Sequence, residues 1–182
     1  MTNIRASVAH AGIPLLFCAC VAQAQPSDAY LQMALSRQGD EARGRTLFNE
    51  FTCSQCHTVD GSGSKAGPDL ATIGDKFEKQ DLIRSVLQPS STIAVGYDNT
   101  LIHRKDGSTT AGVIRQATSG WMELMQADGT PVKVPTSDVA SSETSPVSMM
   151  PENLHLAGTP EDFSDLIAYL GSLRQSTSGG TS

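Results

Sequence analysis

Two cysteines three residues apart, with a histidine directly after them, form the most chemically pointed segment of the chain: Cys53-Ser54-Gln55-Cys56-His57. Cys-x-x-Cys-His is the attachment signature of a c-type haem. Two thiols on one tight turn can reach the two vinyl groups of a porphyrin and bond to them covalently. The histidine that follows then supplies one axial nitrogen to the iron. Two other chemistries use similar residues. A structural zinc site needs four N or S ligands, and the chain after its first two dozen residues offers only Cys53, Cys56, His57, His103 and His155. His103 falls in a stretch read as a strand, and the spacing matches no common finger. A thioredoxin-like redox pair requires a βαβ context, whereas a loop rich in Gly, Ser and Pro follows here, GSGSKAGPDL. The reading is one covalent haem c, held through Cys53 and Cys56 with His57 on the iron.

The other two of the four cysteines, Cys18 and Cys20, lie in an N-terminal segment of different character. It carries Arg5 near its start, an apolar run from Ala11 to Ala22, and Ala22-Gln23-Ala24 before Gln25. This is the pattern of a secretory signal with a small-x-small cleavage site, and cutting is expected after Ala24. The apolar run is short for a bilayer span, so the expected mature protein is periplasmic with no membrane span. Haem attachment of this kind takes place outside the bacterial cytoplasm, so the export signal supports the haem reading.

The chain has 182 residues, with 13 Lys plus Arg against 19 Asp plus Glu and a formal charge of −6. That balance argues against nucleic acid as a partner, because phosphate binding calls for clustered basic residues. Aromatic residues make up 5% of the chain, with one Trp. So sparse a set of large side chains makes a thin core, and a macrocycle would supply the missing apolar bulk.

The elements that position these residues are legible in outline. A short helical stretch from Asp28 to Arg37 precedes a helix from Glu41 to Phe51, whose apolar positions Leu47, Phe48 and Phe51 recur at helical spacing. Lys79 to Leu87 reads as another helix, stopped by Pro89. The period then changes. Asn99–Arg104, Thr109–Gln116, Trp121–Gln126 and Pro131–Val134 alternate in polarity, and Asp106-Gly107 and Asp128-Gly129 stand between them as hairpin signals. Three or four antiparallel strands are expected. A Ser/Thr-rich joint from Ser141 to Ser148 leads to Met149-Met150-Pro151. A closing helix begins with Thr159 as N-cap and Pro160 in the first turn, and buries Phe163, Leu166, Ile167, Leu170 and Leu173. The expected domains are a signal at 1–24, a helical extension at 25–38, a main domain at 39–174 with an insert at about 97–140, and a disordered tail at 175–182.

Together these features resemble class I cytochrome c: Gly44-x-x-x-Phe48 on the first helix, CSQCH, Gly67-Pro68-Asp69-Leu70, a Met-Pro pair, and Leu166-Ile167-Ala168-Tyr169-Leu170 on the last helix. The chain is also similar to a bacterial cytochrome c subfamily described as a haem-binding domain, through Ile73-Gly74, the Pro89 to Ile93 run, Gly96-Tyr97, an Asp-Gly-rich insert and Ser148 to Pro151. The resemblance covers roughly residues 39–174. In that subfamily the domain often follows a large propeller or helical-repeat region, so partner and pathway do not carry over to a domain standing alone. The implied fold is mainly α, haem-wrapped helices with a small antiparallel β insert. The resemblance also implies that the Pro68 carbonyl accepts the ring N–H of His57, fixing the imidazole; a plain turn proline is the alternative.

The second axial position decides between an electron carrier and a reactive haem. The resemblance places Met150 there. The residues agree, since Met150 lies in an irregular segment stiffened by Pro151, where the chain can cross the far face of a macrocycle. Met149 and His155 are the rivals, with His103 a more distant one. Met122 and Met125, beside Trp121, and Tyr169 read as packing residues. The expected function is single-electron transfer between redox partners of the dehydrogenase or terminal-oxidase type, without enzymatic activity of its own. A peroxidase-type or small-molecule-binding haem would need an open distal site, against which the Met-Pro pair counts. A third reading makes the haem a structural core and the insert a docking module, or makes the chain a subunit of a dehydrogenase or oxidase complex.

Overall fold

The computed structural model describes residues 26–61 and 66–175. The signal segment with Cys18 and Cys20, its cleavage site after Ala24, and the tail from residue 176 lie outside the described residues. The chain runs α1 (Pro26–Ser36), α2 (Glu41–Glu50), a 3-10 turn over Cys53–Gln55, a short α3 (Ile73–Lys76) and α4 (Lys79–Leu87). Five strands follow: β1 (Thr100–Arg104), β2 (Thr109–Ala117), β3 (Trp121–Met125), β4 (Pro131–Pro135) and β5 (Val139–Thr144). A 3-10 turn over Leu154–Ala157 then leads into α5 (Pro160–Ser172).

The helices α2 and α5 each have a local reason to begin where they do. Asp40 caps α2 by accepting the N–H groups of Ala42 and Arg43 at 2.9 and 3.0 Å. Thr159 and Asp162 form a reciprocal capping box at the start of α5, with Pro160 in the first turn, as the sequence leads one to expect. The two helices then cross at close quarters. A Cβ at Gly44 would lie 2.0 Å from the Asp165 carbonyl oxygen and 2.7 Å from Tyr169 Cβ, so only glycine lets the backbones approach. Asp165, buried in α5, pairs with Arg37 and accepts the Asp40 N–H at 2.8 Å, which ties α1 and the entrance of α2 to the same helix. Around this crossing pack Leu47, Phe48, Phe51, Leu82, Ile83, Val86, Phe163, Leu166, Ile167 and Leu170. Tyr169 joins them, edge-on to Phe48 at 5.7 Å between ring centroids.

The β insert has a core of its own, built from Ile102, Leu124 and Val134. Its strands lie in the order β4-β3-β2-β1-β5, all antiparallel. Both Asp-Gly pairs turn the chain as expected, with Gly107 and Gly129 at φ +87° and +79°. The fifth strand corrects the sequence reading. Residues 139–144, rich in Ser and Thr, pair along β1 from Thr100↔Thr144 to Arg104↔Val139 instead of forming part of a joint. The expectation of a mainly α chain is accordingly too simple. Helix takes 39% and strand 21% of the structure, with the strands gathered in a separate antiparallel sheet. The physical reason is that β5 buries little; its positions beyond Val139 are exposed, so hydrophobic alternation could not reveal it.

Two predictions follow from this packing. Gly44→Ala should lower stability by about 1–3 kcal/mol through overpacking, although alanine is the better helix former by about 0.5–1 kcal/mol. Gly171→Ala serves as the control, because its Cβ would meet only Leu82 Cδ1 at 3.9 Å and stability should hold or rise. Chemical denaturation measures both. The second prediction concerns His155, which is 5% exposed and packs edge-on to Tyr30 and Phe163, with centroids 4.8 and 6.4 Å away. Burial lowers its pKa below the ordinary 6.5, opposed by the Glu152 backbone carbonyl. Between the folded and unfolded pKa values the unfolded chain binds more protons, so stability falls as pH drops through about 6.5, by at most about 1.4 kcal/mol per pH unit. His155→Leu should remove this part of the slope in denaturation curves taken on either side of that pH.

Candidate functional site

The attachment segment sits where α2 ends. Thr52 has φ +62°, the one left-handed non-glycine residue among those described, and it turns the chain sharply out of the helix. A β-branched residue in that region stores strain. The Cys53 carbonyl then accepts the N–H groups of both Cys56 and His57, at 3.2 and 2.9 Å. This closes a tight turn carrying both thiols, which are not joined in a disulfide. Burial pushes the Cys53 thiol up to about 11 and raises the Cys56 thiol as well, so both are held as neutral S–H groups near neutral pH.

The loop after the motif is arranged around the imidazole. His57 Nδ1 lies 2.8 Å from the Pro68 carbonyl oxygen. A carbonyl only accepts, so Nδ1 carries the hydrogen and Nε2 is left as the basic nitrogen. Burial depresses the His57 pKa, with the Pro68 hydrogen bond opposing, and favours this neutral tautomer. Gly67 is required by proximity: a Cβ there would sit 2.6 Å from His57 Cε1. Gly67 N–H donates to the Cys56 carbonyl at 2.9 Å, and Leu70 N–H to the Thr58 carbonyl at 2.7 Å, so the loop runs back along the motif. Asp69 fastens it from outside. Its carboxylate accepts from the Thr58 hydroxyl and from the N–H groups of Gly61 and Ala71 at 2.8 and 2.9 Å. The Thr58 hydrogen bond leads in holding its pKa below the usual carboxylate range. Spacing alone does not mark this role; the only hint is an Asp placed two residues before a turn amide.

Cys53, Cys56, His57, Pro68 and Met150 all border one cavity of about 730 Å³. Its apolar wall comes from Phe48 of α2, Leu70, Leu82 and Val86 of α4, and Leu166 and Leu170 of α5. Met149 borders it too, so position at the wall does not separate the two methionines. Met150 is additionally packed against the helical core, and its N–H donates to the Ser148 hydroxyl at 3.1 Å. Ser148 is in turn held by Ser90, just after Pro89, through a 3.2 Å bond. The other candidate ligands point elsewhere. His155 lies in the aromatic cluster with Tyr30 and Phe163, and His103 bonds Thr109 and Glu143 on the sheet. Met122 packs in the core of the insert. Among the described residues no three His, Cys, Asp or Glu side chains cluster into a group that could hold a metal ion.

A large, mostly apolar cavity bordered by two thiols, an oriented imidazole and two thioethers fits a haem in its lining and donor chemistry. Soft sulfur and imidazole nitrogen are the ligand types that low-spin haem iron takes. No helix among the described residues is long and apolar enough to cross a membrane.

No curated protein matches the chain. Residues 41–107 match the protein-family model described as Cytochrome c, a stretch that begins with α2 and includes the two cysteines, His57 and the Pro68 loop, and stops well before Met149 and Met150. This match supports a cytochrome c domain, a family that implies covalent haem c and haem-based electron transfer.

Proposed function

We propose that the protein is an exported mono-haem c-type cytochrome, cleaved after Ala24, that carries single electrons between redox partners in the periplasm. The observation that carries this reading is the His57–Pro68 hydrogen bond at the edge of a cavity that Met150 also borders. Bound there, haem supplies a one-electron iron couple that needs no substrate at the metal. The chain's residues do the rest. Cys53 and Cys56 would hold the macrocycle through their sulfurs, and His57, its Nδ1–H held by Pro68, would offer Nε2 to the iron. Met150, which borders the same cavity as His57, would offer its thioether as the second ligand, and a Met and His pair would raise the potential. Phe48, Leu82, Leu166 and Leu170 exclude water from the faces, which sets the local dielectric.

The chain's net charge of −6 points to a redox partner, of dehydrogenase or terminal-oxidase type, with a basic docking patch. A second reading, in which the insert recognises such a partner, is favoured by the sheet edges. β4 is blunted by Pro131 and Pro135, whereas β5 is an exposed edge strand with no proline.

The matured protein should keep its colour in acidified organic solvent, and the oxidised form should show the weak red band of methionine sulfur on iron. Met150→Ala should abolish that band and let the reduced form bind carbon monoxide, while Met149→Ala should do neither. Loss of the band in Met149→Ala alone would move the ligand to its neighbour, and a colourless product from a competent maturation host would sink the haem reading altogether. Reduction rates with a basic partner should fall as ionic strength rises, because exposed charges farther apart than about 10 Å are screened at 0.1 M salt; a rate indifferent to salt would remove the electrostatic part.

A further inference from the structure

Two residues of the insert that lie beyond the family match, Ala127 and Arg115, contact residues that border the cavity. In the turn between β3 and β4, the Ala127 carbonyl oxygen lies 3.5 Å from Cys56 Sγ, across 71 residues of sequence, and Ala127 borders the cavity. On β2, the Arg115 guanidinium sits 4.5 Å above the ring of Tyr97, which also borders the cavity. The register relates the two contacts. Val113 pairs with Met125, so Ala127 falls about level with Ala111. Arg115 lies four residues farther along β2, where the pairing with β3 shifts register between Ile114 and Gln116. The insert therefore reaches the cavity directly at Ala127 and indirectly through Arg115 on Tyr97, and its own small core of Ile102, Leu124 and Val134 holds the strands together.

We propose that the β insert is a wall of the haem site, its β3–β4 turn covering the Cys56 thioether edge and its Arg115 backing Tyr97, so that the insert sets how that edge is solvated and what charge it feels. This rests on the haem reading above. The backbone of the turn displaces water from the sulfur at Cys56. Arg115 braces the Tyr97 ring by a cation–π contact; it acts through Tyr97 and is a positioning residue. An apolar, partly dehydrated edge responds strongly to a charge placed beside it, because the local dielectric is low. A charge elsewhere on the sheet faces water and is screened.

The test is a charge ruler on the matured, haem-loaded full chain. Ala127→Glu and Ala127→Lys place opposite charges beside Cys56. Ser119→Glu and Ser119→Lys place the same charges in the exposed β2–β3 turn, four residues beyond Arg115. The readout is the equilibrium constant for reduction against a fixed mediator. Ala127→Glu should lower it and Ala127→Lys raise it, each by about threefold to fivefold at an effective dielectric near 40, with the Ser119 pair moving it by much less. Equal responses at the two positions, or none at Ala127, would overturn the proposal. The opposed signs at one position separate an electrostatic effect from damage to the fold, since damage would move both variants the same way. A wild-type chain that matures without haem would fail the haem reading itself, whereas a haem-bearing chain indifferent to charge at Ala127 fails only this inference.

Discussion

The close crossing of α2 and α5 at Gly44 is the constraint on which the rest of the molecule depends. α2 delivers the chain to Thr52 and the two cysteines, and α5 follows directly on the segment that carries Met149 and Met150. With the Gly44 backbone seated against the Asp165 carbonyl, the helix that leads into the Cys-x-x-Cys-His turn and the helix that closes the chain are held in one fixed relation. The cavity is what remains between their departing ends, closed behind by α4. The helix propensity given up at Gly44 is small beside the geometry it permits.

The loop after the motif works by a different economy. Four residues, Gly67 to Leu70, each satisfy one requirement. Gly67 leaves room for the imidazole, Pro68 presents the carbonyl that accepts the ring N–H, Asp69 fastens the loop from the solvent side, and Leu70 contributes to the apolar wall. The result is a histidine whose tautomer is decided before any metal arrives. Burial works in the same direction, since both the depressed His57 pKa and the raised cysteine pKa values favour the neutral forms.

The insert is more than an ornament on a loop. It has its own buried triad, two Asp-Gly turns that enforce its register, and proline at both ends of one edge strand, a device that discourages pairing with other chains. Its contacts with the cavity run through one backbone carbonyl and one arginine on a tyrosine. Such contacts leave no trace in hydrophobic periodicity, which explains why a sheet so plainly signalled by its turns says nothing in sequence of where it docks.

Local chemistry was legible from the residues themselves. The Cys53-Ser54-Gln55-Cys56-His57 spacing, the Thr159-Pro160 helix start, the Lys79–Leu87 helix and the Asp-Gly hairpins all depend on interactions within a few residues, and neighbouring residues in a chain cannot avoid one another. The strand β5, the fastening role of Asp69 and the contact of Ala127 with Cys56 depend on partners 8 to 71 residues away or on ladder bonds to exposed strands. Only the folded chain decides these, because an exposed Ser/Thr strand and a turn carbonyl carry no burial pattern, and hydrogen bonds between distant backbone groups are chosen by where tertiary packing brings the segments together.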